Sequence, residues 1–254
     1  MKKNISLKQI KKQTYSEQRK DFDFEVSFWV YYVTRPLSFF LTSFLLKTSV
    51  TANSVTIFSL FICILSCFYL CIGTYQSFIL GALFYNFFLI LDSVDGNIAR
   101  YKNQSSNQGT LLDALVGDMI NVLILPSICV GLINSNKLNI IIENSEINVE
   151  IIFILILVST IANLFTTLFF QRVKIIFNTT SKKANTLFKE RNFFKKIITY
   201  SIRNAFGFSF IAPSLLVFTI LNLTEYLLFY LFAINILIFI AVLMYAIYLI
   251  FYSK

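Results

Sequence analysis

Residues 92–118 read DSVDGNIARYKNQSSNQGTLLDALVGD and lie between two long apolar runs. Four carboxylates (Asp92, Asp95, Asp113 and Asp118) share the stretch with Arg100 and with Gly96, Gly109 and Gly117. An ionised carboxylate at membrane depth costs roughly 3 kcal/mol or more unless something binds it. Such a cluster reads as a binding site, and the runs around it decide what kind of protein carries it.

Those runs exclude a soluble domain. The chain is 57% apolar and only 14% charged, and several windows hold about 20 uncharged apolar residues, the length that crosses a bilayer. The net charge of +9 could indicate nucleic acid, but the basic residues flank apolar runs, so anionic headgroups are the better partner and no nucleic acid is expected. Cys63, Cys67 and Cys71 recur every four residues in one apolar run and read, with Cys129, as small packing or lipid-facing residues. Because the chain has no His, zinc and haem sites are excluded from the reading.

Residues 1–48 form an N-terminal cytoplasmic and juxtamembrane segment carrying Lys2-Lys3, Lys11-Lys12 and Arg19-Lys20, with no apolar core that would make it a signal peptide. From Phe22 to Lys47, aromatic and charged residues mix, and Pro36 is placed to start a helix. An amphipathic helix on the membrane surface fits this segment. Residues 49–254 form the transmembrane domain. Its six predicted spans are Thr51–Ile72, Ser77–Leu91, Leu111–Ile133, Val149–Phe170, Asn204–Leu221 and Tyr226–Tyr252. Thr51 or Asn53 is placed to cap the first span, Gly73-Thr74 to end it, and Pro126 to kink the third. A basic loop, 171–203, precedes the fifth span, and its Phe193-Phe194 and Ile197-Ile198 predict a surface helix.

With six spans and the N-terminus inside, every basic residue but Lys137 is cytoplasmic, whereas Glu143, Glu146, Glu150 and Glu225 lie outside. The fold class expected is therefore an all-α integral membrane protein of the cell inner membrane. Its N-terminus and acidic stretch face the cytoplasm.

Asp92, Asp95, Gly96 and Ala99 follow the spacing i, i+3, i+4, i+7, which is one face of a helix, and Arg100 adds a cation suited to phosphate. Gly109 and Asp113 share a face of the next helix. Three carboxylates without His or Cys suit a hard cation, Mg²⁺ or Mn²⁺, completed by substrate phosphates. Metal with phosphate points to phosphoryl transfer.

At these positions the sequence resembles the CDP-alcohol phosphotransferase (CDP-alcohol phosphatidyltransferase) family, whose pattern is D-x2-D-G-x2-A-R-x8-G-x3-D-x3-D. Asp92, Asp95, Gly96, Ala99, Arg100, Gly109 and Asp113 match it in identity and spacing, and residues 47–58 look like the family's lead into its first helix. The resemblance implies six transmembrane helices and a homodimer. It implies transfer of a phospho-alcohol or phosphatidyl group from a CDP-linked donor to the hydroxyl of a lipid or polyol acceptor, with release of CMP, in phospholipid or related polar-lipid synthesis. It implies further that Asp92, Asp95 and Asp113 hold divalent metal and that Gly96, Ala99, Arg100 and Gly109 line the nucleotide site.

The departure is at the last position, where the pattern's Asp, in the family a metal ligand and proposed general base, is replaced by Gly117. Asp118 is the adjacent catalytic candidate, but a residue turns about 100° along a helix, so it would serve the site only if the helix were locally distorted. Asn121, one turn on, is a neutral alternative. The competing functional reading is a catalytically degenerate relative that binds a CDP-linked ligand or lipid without turnover. A transporter reading is weaker, because the acidic residues gather at one end of the spans. Arg172, Lys174 and Arg203 are candidates for a phosphate contact or for simple positive-inside anchoring. Asn163, Thr166, Thr167 and Asn235 are expected to make helix-to-helix hydrogen bonds.

Overall fold

The computed structural model describes residues 6–138, 148–180 and 210–252, and every regular element among them is helical. In chain order these are α1 (Leu7–Thr14), α2 (Glu17–Val26), a π-helical turn (Val30–Thr34), α3 (Arg35–Leu45), α4 (Ala52–Ile72), α5 (Tyr75–Tyr101) and α6 (Asn107–Asn134). After them come α7 (Val149–Thr180), α8 (Ile211–Ile220) and α9 (Thr224–Tyr252). Five of them are long and apolar enough to cross a bilayer, namely α4, α5, α6, α7 over Val149–Phe169, and α9 over Thr224–Ile247. The expected fifth span begins outside the described residues, and its described part is the ten-residue apolar helix α8. The basic loop from 181 onwards, its predicted surface helix, Arg203, Glu143 and Glu146 also lie outside the described residues, as do the side chains of Arg172 and Lys174.

Two boundaries move. The second span was expected to stop near Leu91, yet α5 continues unbroken to Tyr101, so Asp92, Asp95 and Arg100 lie in its last turns, on a helix as their spacing predicts. The Asp95-Gly96 pair does not break the helix, which ends only where Asn103 takes a left-handed φ of 53°. In the same way α7 runs past Phe170 to Thr180. Side-chain hydroxyls cap α4 (Thr51), α5 (Thr74) and α6 (Ser106), satisfying N–H groups that an intrahelical ladder leaves open.

The core of the bundle is α4 packed against both α5 and α6, with α7 on α6, α9 on α7 and α6, and α8 on α5. Gly73 turns the chain between α4 and α5 at φ 85°, a conformation that favours glycine. Its neighbour across the bundle, Gly131, presses on the backbone of α4, and a β-carbon there would collide with the Leu70 carbonyl. Since the obstacle is main chain, Gly131→Ala is expected to cost about 1–3 kcal/mol, read as a lower melting temperature in detergent. Cys63, Cys67 and Cys129 are buried in this core as free thiols, in keeping with a packing role. The threonines of α7 behave differently from expectation. Thr166 and Thr167 donate to the carbonyls of Ala162 and Asn163 one turn back in their own helix, because that acceptor is always within reach.

The N-terminal helices dock on the half of α5 that carries the acidic residues. Asn97, fully buried, donates to the hydroxyls of Ser38 (3.2 Å) and Thr42 (3.3 Å) on α3. Trp29 donates its indole N–H to Asn86 at 2.9 Å, and Asn86 in turn donates to the Ala212 carbonyl of α8. Asp23, 4% exposed, pairs with Arg35. Helix α3 buries Phe39 beside Ser38 and Thr42, while Leu37, Phe40 and Phe44 are exposed. At the opposite end of the bundle, Lys137 meets Glu225 at 3.5 Å and Asn222 at 2.7 Å.

Candidate functional site

Three helix ends converge beside the N-terminal segment. The last turns of α5 and the first turns of α6 are joined by only five residues, 102–106, and both flank the start of α4, on which the two helices pack. Between them is a cavity of about 230 Å³. Asp95, Gly96, Ala99 and Arg100 line it from α5, and Gly109 and Asp113 from α6. Six of the seven residues that match the family pattern therefore face one space, and the seventh, Asp92, is next to it, with its carboxyl within hydrogen-bonding reach of Asp113. The i, i+3, i+4, i+7 spacing places four of these residues on one face of α5, and the short link between α5 and α6 adds the other helix.

The two helices that start here, α4 and α6, present their N-termini to the cavity through Ala52, Asn53 and Gly109. Unpaired N–H groups and the positive end of each helix dipole favour an anion at this place. Arg100 adds charge in a fixed orientation, because its Nε donates to the Thr14 carbonyl at 3.0 Å and its Nη2 to Asn97 Oδ1 at 2.9 Å. Arg19, from α2, also faces the cavity. Burial, and then the neighbouring Arg35, hold the Arg19 guanidinium below its ordinary pKa, as expected for a cation brought near another cation away from solvent. An anion in the cavity would relieve that repulsion.

The acidic side chains divide into two sets. Asp95 is 5% exposed and accepts a 2.6 Å hydrogen bond from Thr56 Oγ1 on α4. Asp92 and Asp113 form the closer pair, with Asp113 the more exposed. Among the described residues no three acidic, Cys or His side chains are gathered as a ready metal cage. The donors still fit a hard divalent cation, because Mg²⁺ is usually held by one or two carboxylates and completed by substrate phosphates rather than by an all-protein cage. An adjacent carboxyl pair beside a cationic, phosphate-sized cavity is that kind of half-built site.

Asp118 is not brought to this cavity. It lines a separate apolar groove with Leu115, Met119, Val122, Leu123 and Leu164, between α6 and α7. Helix α6 is continuous α-helix through this region, without the bulge that would have turned Asp118 inward. Gly117 is on the face of Gly109 and Asp113, and a β-carbon there would have nothing within 4 Å.

Sequence reasoning missed Arg19, Thr56 and Asn53 as cavity residues, and Asn97 and Thr14 as the groups that orient Arg100. The polar pair Asn53 and Thr56, i and i+3 at the start of an otherwise apolar helix, carried a readable signal. Arg19 and Thr14 carried none, because only docking of the N-terminal helices on α5 brings them there.

Apolar helices of bilayer-crossing length make this an integral membrane protein, and its polar cavity is at one end of the bundle. The family model described as CDP-alcohol phosphatidyltransferase matches residues 49–252, and the chain belongs to that family. Membership implies transfer of a phospho-alcohol group from a CDP-alcohol to an alcohol acceptor. No curated protein matches the chain.

Proposed function

We propose that the protein is a metal-dependent transferase. It moves a phospho-alcohol or phosphatidyl group from a CDP-linked donor to a lipid or polyol hydroxyl in phospholipid or related polar-lipid synthesis. The observation that carries this reading is the convergence of Asp95, Gly96, Ala99, Arg100, Gly109 and Asp113 on one cavity with Asp92 beside it. In this reading Asp92, Asp95 and Asp113 hold Mg²⁺ or Mn²⁺, which when bound neutralises phosphate charge and polarises the phosphorus under attack. Gly96, Ala99 and Gly109 leave room for the nucleotide. Arg100 and Arg19 bind diphosphate oxygens, and the N-termini of α4 and α6 add N–H donors. The acceptor oxygen forms the new P–O bond, the bond to CMP breaks, and the hydroxyl proton is lost. With glycine at 117, the carboxylate that the family pattern places one turn beyond Asp113 is missing, so that proton passes to solvent or to another base without it.

We place the cavity and the N-terminus at the cytoplasmic face of the cell inner membrane. The bundle is completed to six spans through residues 204–221, and α1 to α3 lie as an amphipathic segment at the lipid surface. Homodimerisation belongs to the same proposal. The test is release of CMP from a CDP-alcohol or CDP-diacylglycerol by the purified protein with Mn²⁺, together with calorimetric binding of CDP. Absence of both would reject the reading.

A second reading, binding without turnover, is favoured by one observation, the placement of Asp118 in the apolar groove instead of the cavity. Donor binding then persists without CMP release, which separates the two readings.

Thr56 acts through Asp95, and loss of an outer-shell partner typically costs about 10–100-fold in metal affinity. Thr56→Val is expected to weaken Mn²⁺-dependent CDP binding by about 10-fold, whereas Thr56→Ser, which keeps the donor, restores it. Calorimetry across the three proteins checks this, and equal affinities would detach Thr56 from the site.

A further inference from the structure

The N-terminal segment holds a second cavity, of about 490 Å³, between α1, α2, the π turn and α3. It precedes the residues that match the family and is separate from the donor cavity. Four cations, Lys11, Lys12, Lys20 and Arg35, and one carboxylate, Glu17, line it. Arg35 is neutralised by Asp23, and Lys20 stands 3.5 Å from the exposed Glu17 carboxylate. Neither Lys11 nor Lys12 makes an ion pair among the described residues. Lys11 is instead held over the Phe39 ring, 5.5 Å from its centroid. Tyr15 lines the wall with its hydroxyl buried beside Asp23, and burial and Asp23 raise its pKa, so it keeps its proton. Two unneutralised ammonium groups at one cavity are chemistry for a phosphate.

The far wall identifies what carries that phosphate. Pro36 and Phe39 line the cavity from α3, and on the same helix Leu37, Phe40 and Phe44 are 47%, 57% and 50% exposed. Their spacing, i, i+3, i+7, makes one continuous apolar strip beginning beside the cavity. Three large apolar side chains exposed in a row call for hydrocarbon. A basic cavity opening onto such a strip matches a molecule with an anionic head and an apolar tail.

We propose that this cavity binds the headgroup of an anionic phospholipid, with its acyl chains along Leu37, Phe40 and Phe44. It is a lipid site distinct from the donor cavity.

The experiment uses the full chain in neutral detergent with phosphatidylglycerol as probe, phosphatidylcholine as the neutral lipid, and inorganic phosphate and glycerol 3-phosphate as soluble competitors. Lipid retention is read by native mass spectrometry. Lys11→Gln with Lys12→Gln is expected to weaken phosphatidylglycerol retention roughly 10-fold or more, as loss of hydrogen bonds to a charged group does. Lys8→Gln with Lys102→Gln removes the same charge from residues that neither line the cavity nor touch the strip, and is expected to leave retention nearly unchanged. Phe40→Ser is expected to weaken the lipid as well. Lys11 and Lys12 are exposed, and matched melting temperatures show that the variants are folded. Equal losses in the two lysine pairs would reduce the site to bulk attraction and overturn the proposal. Equal retention of phosphatidylcholine would also overturn it. Displacement of the lipid by inorganic phosphate or glycerol 3-phosphate at matched concentration, with no effect of Phe40→Ser, would reassign the cavity to a soluble phosphate and overturn the lipid assignment.

Discussion

Asp113→Asn is expected to abolish Mn²⁺-dependent binding of CDP, with an affinity loss of at least about 100-fold. Even an outer-shell partner is worth about 10–100-fold, and Asp113 is assigned to the metal directly. The amide is nearly the same shape as the carboxylate and still reaches Asp92, so the fold has no reason to change. What disappears is one of two adjacent negative charges, the feature that makes a divalent cation welcome there. The same change has an opposite effect on the empty protein. Two carboxyls within hydrogen-bonding reach repel each other when both are ionised, and replacing one relieves that repulsion. Without metal, Asp113→Asn is therefore expected to melt at the same temperature as the native chain or above it. With Mn²⁺ and CDP, the native chain gains stability by mass action and the variant does not. Thermal shift with and without Mn²⁺ and CDP, beside calorimetry, reads both halves. A variant that binds CDP like the native chain would remove Asp113 from the site and leave the metal assignment without its central pair.

Gly117→Asp is expected to raise the rate of CMP release by about 10²-fold or more, the lower end of what a positioned general base supplies. A side chain at 117 enters open space, so the new carboxylate meets no obstacle, and it follows Asp113 by one turn on the same face of α6. Donor affinity should change far less than turnover, because the nucleotide-facing residues stay in place. An inactive native chain that gains turnover would establish binding without catalysis as the native state. A native chain that is already fast, and is slowed by the substitution, would mean that the proton leaves by another route. Asp118→Asn is the control. Its side chain lies in the groove with Leu164, so the substitution should leave CMP release unchanged.

The grouping of the candidate site residues was legible because its signal is local. Asp92, Asp95, Gly96 and Ala99 need only helical geometry to share a face, and α5 supplies it. The span boundaries were read less well, since hydropathy falls at Asp92 whereas the helix ends where the backbone must turn, at Asn103. Polar residues that face a cavity continue a helix as readily as apolar ones. Asp118 could be assigned to the wrong face from the one-residue turn alone, because nothing local forbids an unbroken α6.

The residues by themselves determined the candidate ligand set and the solvent: carboxylates without His, small residues beside them, and apolar runs long enough for a bilayer. These follow from composition and from a period of 3.6, which hold wherever a helix forms. The tertiary structure alone decided which distant groups join them. Thr56 reaches Asp95, Thr14 and Asn97 orient Arg100, Arg19 enters the donor cavity, and α1 to α3 enclose a second one. Those partners are separated in sequence by up to 86 positions. No periodicity spans such a distance, and only the packing of one helix on another brings the groups within hydrogen-bonding range.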